Sequence, residues 1–221
     1  MTTPGPVAVL TSGGADSAVL VVEQARQGRN AQPIYIRFGL AWEHVEEAHL
    51  RSFLASLPSR LDVRPLLALD FPITDVYGTH WSVSGTDIPD EDTPDSAVYL
   101  PGRNLLLLAK SSVWCAMHGV EAIALGTLKG NPFSDSSPDF FGAFGAIAEL
   151  ALGRSFSVIT PFAGLTKAQV LELGRDLELW HTFSCIDPEG DRHCGRCNKC
   201  AERRTAFAVA DIEDRTSYAH C

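Results

Sequence analysis

Val7-Ala8-Val9-Leu10-Thr11-Ser12-Gly13-Gly14-Ala15-Asp16-Ser17 begins as an unbroken apolar run and stops at two hydroxyl residues and two glycines. A short continuous apolar run of this kind reads as a buried parallel strand. Asp16 to Arg26 follows as a helix, with Gly28 near its end. A strand that delivers the chain to a glycine turn and then a helix builds an anion cradle. The first helical N–H groups have no intrahelical partner, and the helix dipole is positive there. Two glycines let the backbone approach the anion closely. Leu10, Thr11, Ser12, Gly13, Gly14, Ala15, Asp16 and Ser17 are therefore the expected pyrophosphate-binding residues, with Ser12 and Ser17 adding hydroxyl donors. The loop has no G-x-x-x-x-G-K-[ST] pattern and no nearby lysine, and it lacks G-x-G-x-x-G. Neither a Walker-type loop nor a dinucleotide fingerprint is present. An acidic Asp16 beside an anion calls for a bridging divalent cation, so Mg²⁺ is expected.

The alternation continues. Residues 33–38 read as a second strand, 43–57 as a helix closed by Pro58, and 63–69 as a third strand. Residues 71–98, with Gly78, Gly85, Pro89, Pro94 and an acidic run, read as a long irregular loop: a lid over the site or a solvated insertion. A helix is expected from 101 to about 118, a strand at 121–125 and a polar loop at 128–139. A helix at 140–153, a short strand at 156–160 and a helix at 166–177 follow, the last opened by a Thr166/Gln169 capping box. The pattern is α/β: a parallel, Rossmann-like sheet with helices on both faces. Residues 1–180 form the expected nucleotide domain, and 181–221 a small zinc-binding segment packed on it, ending in a helix at 201–210.

That segment holds Cys185, Cys194, Cys197 and Cys200, spaced C-x8-C-x2-C-x2-C. Four thiolates at this spacing close a tetrahedral shell with no open position, which makes the site structural. Zn²⁺ is the expected ion, one per chain, and an iron–sulfur cluster is the rival. His193 reads as a bystander or a support to the ligands, Cys115 as a small buried hydrophobe, and Cys221 as a frayed terminus.

The chain has 221 residues, 45% of them hydrophobic, and a formal net charge of −9. That acidity disfavours nucleic-acid binding, which needs clustered Lys and Arg. No apolar run approaches the roughly 20 residues of a membrane span. Residues 1–6 carry no positive charge before the first apolar run, unlike a signal peptide. Clustered cysteines fit a reducing, cytoplasmic compartment.

Together these motifs resemble the 7-cyano-7-deazaguanine synthases, ATP pyrophosphatases with a Ser-Gly-Gly-x-Asp-Ser loop. The resemblance rests on Ser12–Ser17, Leu100-Pro101-Gly102-Arg103-Asn104, Leu125-Gly126-Thr127, Ser137-Pro138-Asp139, Thr160-Pro161, Leu165-Thr166-Lys167 and the four cysteines. The first loop alone would admit GMP, NAD and argininosuccinate synthetases and tRNA-thiolating enzymes. The resemblance implies an adenine-nucleotide α-hydrolase fold, ATP, and a homodimer. It implies an ATP-dependent C–N ligase that adenylates the small-molecule carboxylate 7-carboxy-7-deazaguanine. Ammonia then gives the amide, and a second activation gives the nitrile. It places Arg103, Asn104 and Lys167 against phosphates or carboxylate. Asp139 would face the guanine-like edge of the substrate. The substrate-facing loop departs from the family pattern: Phe133, Asp135 and Phe140-Phe141 stand where Tyr, Gly and Cys-Arg are typical, and Leu128-Lys129-Gly130-Asn131 replaces an acidic approach. Asp135 thereby joins the candidate substrate-facing residues. The alternatives are a diverged enzyme that stops at the amide or uses another acid or amine, and a non-catalytic nucleotide sensor. A tRNA thiolase would want a basic surface and a catalytic cysteine pair, and a zinc-dependent interaction module would want its cluster on a free linker.

Overall fold

The computed structural model describes residues 5–220; Met1–Pro4, from the stretch read for a signal peptide, and Cys221 lie outside them. Five parallel strands stand in the order β3-β2-β1-β4-β5. They are β1 (Val7–Leu10), β2 (Ala31–Arg37), β3 (Leu67–Asp70), β4 (Ala122–Ala124) and β5 (Ser157–Ile159). The chain steps outward from β1 to β3, then returns to lay β4 on the other side of β1. The order reverses there, and in open α/β sheets ligands bind at the carboxyl edge of that reversal.

The helices are α1 (Ala15–Arg26), α2 (Glu43–Ser56), the single turns α3 (Thr74–Tyr77) and α4 (Trp81–Ser84), α5 (Arg103–Met117), α6 (Pro138–Leu152), α7 (Lys167–Leu173) and α8 (Asn198–Val209). Side chains alternate across a strand, so β1 feeds two cores. Ala8 and Leu10 pack with Leu108 and Cys115 of α5 and Phe141 and Ala148 of α6. Val7 and Val9 pack with Leu20 of α1, Val170 of α7 and Phe207 of α8. Helices on both faces of a parallel sheet are the architecture that the alternating pattern implies.

Several expectations shift, among them the helix expected at 166–177, which ends at Leu173 before Gly174. β2 begins at Ala31, two residues before Pro33, because Ala31 N–H donates to Asp62 O at 2.9 Å and Ala31 O accepts from Arg64 N–H at 2.8 Å. Val63 makes only an isolated bridge to Ala31, and β3 proper starts at Leu67. Pro65, which has no N–H to give a ladder, separates the two. Residues 71–98 are no free loop. Beyond α3 and α4 they form a 3₁₀ turn at Asp95–Val98. Trp81 stacks on Trp42 with ring centroids 5.6 Å apart. Pro89 O accepts from Asn198 N–H at 3.1 Å, and Thr93 O from Asn198 Nδ2 at 2.7 Å. The segment is stitched to the cysteine-bearing tail.

Candidate functional site

The loop after β1 is braced from three sides. Thr11 sends both N–H and Oγ1–H to Ile34 O, each at 2.9 Å. Ser17 Oγ accepts from Ser12 N–H at 3.2 Å and donates to Gly14 O at 3.0 Å. Phe183 N–H, from the tail, donates to Gly13 O at 2.8 Å. Gly13 sits at φ +74°, and a Cβ there would stand 2.8 Å from Glu46 Cγ, so only glycine fits. The hydroxyls of Thr11 and Ser17 donate within the loop in this structure, and both residues line the space above it. The Ser12 hydroxyl, in the cleft lining, makes no hydrogen bond to the described residues, and Ala18 N–H is the first backbone donor of α1 to find a helical acceptor, Gly14 O at 3.1 Å.

A cleft of about 480 Å³ opens above this loop. Leu10, Thr11, Ser12, Gly14, Asp16 and Ser17 line it, while Gly13 and Ala15 are buried behind it. Arg103, Asn104, Asp135 and Lys167 line it too. Asp139 does not: it is exposed in the first turn of α6, where Ser137 Oγ, not Asp139, caps Phe140 N–H at 3.1 Å. Its expected place at the substrate edge is not what the structure shows. A Pro-Asp start favours an acidic first turn on a helix whatever the ligand. Asp135 is buried instead. Its Oδ2 accepts Asn104 N–H at 3.0 Å, and Asn104 Nδ2 reaches Asp135 O at 3.0 Å and Ser136 Oγ at 2.9 Å. Asn104 braces the 134–136 turn.

Lys167 opens α7, where the macrodipole disfavours a cation, and its partners are carboxylates. Its Nζ lies 3.3 Å from Asp16 Oδ2 and 2.9 Å from Glu202 Oε1. Burial works hardest against its charge, yet the fields of Asp16 and Glu202, with their hydrogen bonds, hold its pKa above the usual lysine value. Burial likewise opposes the charge on Glu202, but Lys167 and Lys199 bring its carboxyl down to about 2.

Two groups escaped the sequence reading. Glu46, 8% exposed, accepts the Tyr35 hydroxyl on Oε2 at 2.6 Å. Burial pushes its carboxyl up to about 7, against the pull of Arg103. Its signal is helical spacing: Glu46, Leu50 and Phe53 share one buried face of α2. Glu202 carried no signal, because its partner stands 35 residues away.

Three buried polar atoms on the cleft residues have no partner: Asp16 Oδ1, Arg103 Nε and Thr127 Oγ1. Buried groups of this kind are rarely left unpaired. An acceptor, a guanidinium N–H and a hydroxyl, beside open helix N–H groups, are the donor set that a cation-bound polyphosphate satisfies.

The sulfurs of Cys185, Cys194, Cys197 and Cys200 lie within 4.8 Å of one another. The Cys185–Cys197 and Cys194–Cys200 sulfurs are 3.8 and 3.9 Å apart. A tetrahedron with metal–sulfur bonds of about 2.3 Å has edges of about 3.8 Å. Backbone N–H groups of Asp187, Cys194, Arg196 and Cys197 point at Cys185 or Cys194 sulfur, as thiolates require. His193 is 1% exposed and its Nε2 accepts Ser184 N–H at 3.1 Å, so it is a core histidine outside the sulfur shell. Gly195, at φ +88°, passes so close to His220 O that no Cβ fits.

The chain is similar to known proteins. Residues 6–211 match the family described as queuosine biosynthesis protein QueC. The 7-cyano-7-deazaguanine synthase of Solidesulfovibrio magneticus is 31% identical, with 99% of this chain and 98% of that protein covered. That of Syntrophobacter fumaroxidans is 32% identical, over 95% and 94%. Among solved structures, a 4-thiouridine synthetase–RNA complex with bound ATP aligns with a TM-score of 0.51 at 13% identity, over 93% of this chain and 50% of that one. A predicted tRNA methyltransferase subunit from Methanocaldococcus jannaschii gives 0.50 at 17%, over 77% and 74%. Those two likenesses concern the fold alone. With a match that spans nearly the whole chain, and full-length relatives around 30% identical, the chain belongs to the QueC family of queuosine biosynthesis proteins.

Proposed function

We propose that this chain is an ATP-dependent C–N ligase that adenylates 7-carboxy-7-deazaguanine and carries it through the amide to 7-cyano-7-deazaguanine. The observation that carries the reading is that Asp16, Arg103 and Thr127 all line the cleft above the phosphate loop and each holds a buried polar atom without a partner. The family's relatives bear the name of that reaction.

The chemistry asks the protein for positioning and charge stabilisation, with no covalent nucleophile. A substrate carboxylate oxygen attacks the α-phosphorus of ATP, and pyrophosphate leaves. Ammonia attacks the acyl carbon, the C–O bond to AMP breaks, and a proton is lost, leaving the amide. The amide oxygen displaces a second pyrophosphate. Loss of AMP and two protons then forms the C≡N bond. The N–H groups opening α1 hold the pyrophosphate, Arg103 offers its fork to phosphate or carboxylate, and Lys167 neutralises charge at the loop. Asp16 Oδ1 would hold Mg²⁺, which supplies charge neutralisation between carboxylate and phosphates. The four cysteines would hold one structural Zn²⁺ beneath the tail, which packs with residues 5–180 as part of one core. The acidic chain and the small cleft fit a small-molecule carboxylate and ammonia better than a nucleic acid.

Aromatic side chains in the cleft support a second reading. Trp42, Trp81, Tyr99 and Phe133 line it, with Tyr99 and Phe133 stacked at 5.1 Å. Asp139 is outside. With Phe133 and Asp135 departing from the family pattern, the cleft suits a different acid or amine, or an enzyme that stops at the amide. The homodimer follows from the family. Leu105, Val113 and Met117 of α5 and Ile147 and Leu150 of the neighbouring α6, all exposed, are the apolar residues a second copy would cover. Light scattering on Met117→Glu/Leu150→Glu should then report a monomer.

ATP–pyrophosphate exchange tests the main reading. Exchange that depends on 7-carboxy-7-deazaguanine is expected. Exchange driven only by other carboxylates would establish the second reading, and none with any acid would refute adenylation.

A further inference from the structure

Glu202 spends both carboxylate oxygens on lysines: Oε1 on Lys167 Nζ at 2.9 Å and Oε2 on Lys199 Nζ at 2.8 Å. Lys167 in turn lies 3.3 Å from Asp16 Oδ2. All four side chains line the phosphate cleft. Each keeps between 19 and 29% of its side-chain surface, so the chain of charges sits at the rim, neither buried nor free.

The origin of Glu202 matters. It lies in the first turns of α8, whose N-cap is Cys197 and whose third residue is Cys200. Two of the four sulfurs therefore flank Lys199, and Glu202, its i, i+3 partner, follows two residues after Cys200 on the same helix. The same tail clamps the phosphate loop through Phe183 N–H on Gly13 O. These largely shielded pairs hold Lys167 and Glu202 charged, and they also fix where the two ammonium groups stand. A cation at the start of α7 is held against the macrodipole, and the carboxylate that holds it comes from the helix that Cys197 and Cys200 open.

We propose that Glu202 is a positioning residue which holds Lys167 and Lys199 over the phosphate cleft, so that the cysteine-bound metal sets the geometry of the nucleotide site. This rests on reading the cleft as an ATP site, and it deepens that reading: the metal is structural in its coordination yet acts on the cleft through one carboxylate. Removing Glu202 leaves Lys167 with Asp16 alone and frees Lys199.

The test is amine acylation read by peptide mass spectrometry on the metal-loaded chain. In Glu202→Gln, acylation of Lys167 and Lys199 should rise several-fold with metal content unchanged. In Glu202→Asp, too short to span both lysines, the rise should be smaller. Chelation of the wild-type metal should raise Lys167 labelling as Glu202→Gln does. At saturating ATP, exchange should fall about tenfold or more in Glu202→Gln while ATP affinity holds within about threefold, because misplacement costs rate more than binding. Unchanged Lys167 labelling in Glu202→Gln with its metal retained would overturn the proposal, as would raised labelling without loss of exchange. If Glu202→Gln does not fold, the Glu202→Asp and chelation arms decide. MgATP should also protect Lys167 in the wild type. Absence of that protection would count against the ATP reading of the cleft and leave the Glu202–Lys167 coupling to the variants.

Discussion

Replacing Glu46 by glutamine should change how stability depends on pH. Glu46 is 8% exposed on α2 and hydrogen-bonded to Tyr35 of β2. Arg103 of α5 and Glu43 of its own helix are the charged groups that act on it. Burial raises its carboxyl from 4.5 to about 7, against Arg103 and Tyr35, which favour the ionised form. The folded state therefore binds this proton more tightly than the unfolded chain does. The stability it contributes is complete below about pH 4.5 and is lost as pH climbs through about 7. A gap of about 2.5 units at about 1.4 kcal/mol each is about 3 kcal/mol, of which about 2 kcal/mol falls between about pH 5.5 and 8.5. Glutamine keeps the volume and an acceptor for Tyr35 but does not ionise. Urea unfolding of both proteins in metal-containing buffer isolates this group, since every other titration is shared. Relative to wild type, the variant should gain about 2 kcal/mol on passing from about pH 5.5 to 8.5. A wild-type-to-variant difference that stays flat over that range would refute the reasoning, because it would mean that Glu46 titrates alike folded and unfolded.

Further outcomes follow from the loop and the sulfur cluster. Gly13→Ala forces a side chain into the left-handed region and against Glu46, at a cost of about 2–4 kcal/mol by urea unfolding, and ATP binding by calorimetry should be lost. Cys197→Ser removes one of four ligands. Metal per chain by plasma emission should fall well below one, with a Tm about 10 °C lower; full occupancy would mean a different ligand set. Asp16→Ala should abolish AMP release with metal content unchanged, and retained AMP release would sink the assignment of Mg²⁺ to Asp16.

The sheet was legible because its signals are local. Val7–Leu10 is apolar throughout and ends at glycines, and Thr166/Gln169 form the capping box that their spacing announces. The cysteine quartet was legible for the same reason, as close spacing brings the sulfurs together with little help from the rest of the chain. What could not be read lies in pairings across the sequence. Glu202 meets Lys167, Trp81 meets Trp42, and Asn198 holds the segment around Pro89 and Thr93. The glycines and prolines of 71–98 masked apolar anchors such as Trp81 and Ile88. The contact of the Ser17 hydroxyl with Gly14 O could not be read either, because a hydroxyl carries no sign of its partner until the loop is folded. Asp139 looked substrate-facing on a resemblance alone, and α6 turns it to solvent.

The most direct test of the central claim is product mass spectrometry with ATP, Mg²⁺, ammonia and 7-carboxy-7-deazaguanine, following AMP and the deazapurine together. The account predicts the nitrile, with about two AMP released per turnover, as sequential activation of acid and amide in one positioning site demands. Amide as the final product, or no turnover of this acid by a preparation that binds ATP, would contradict it.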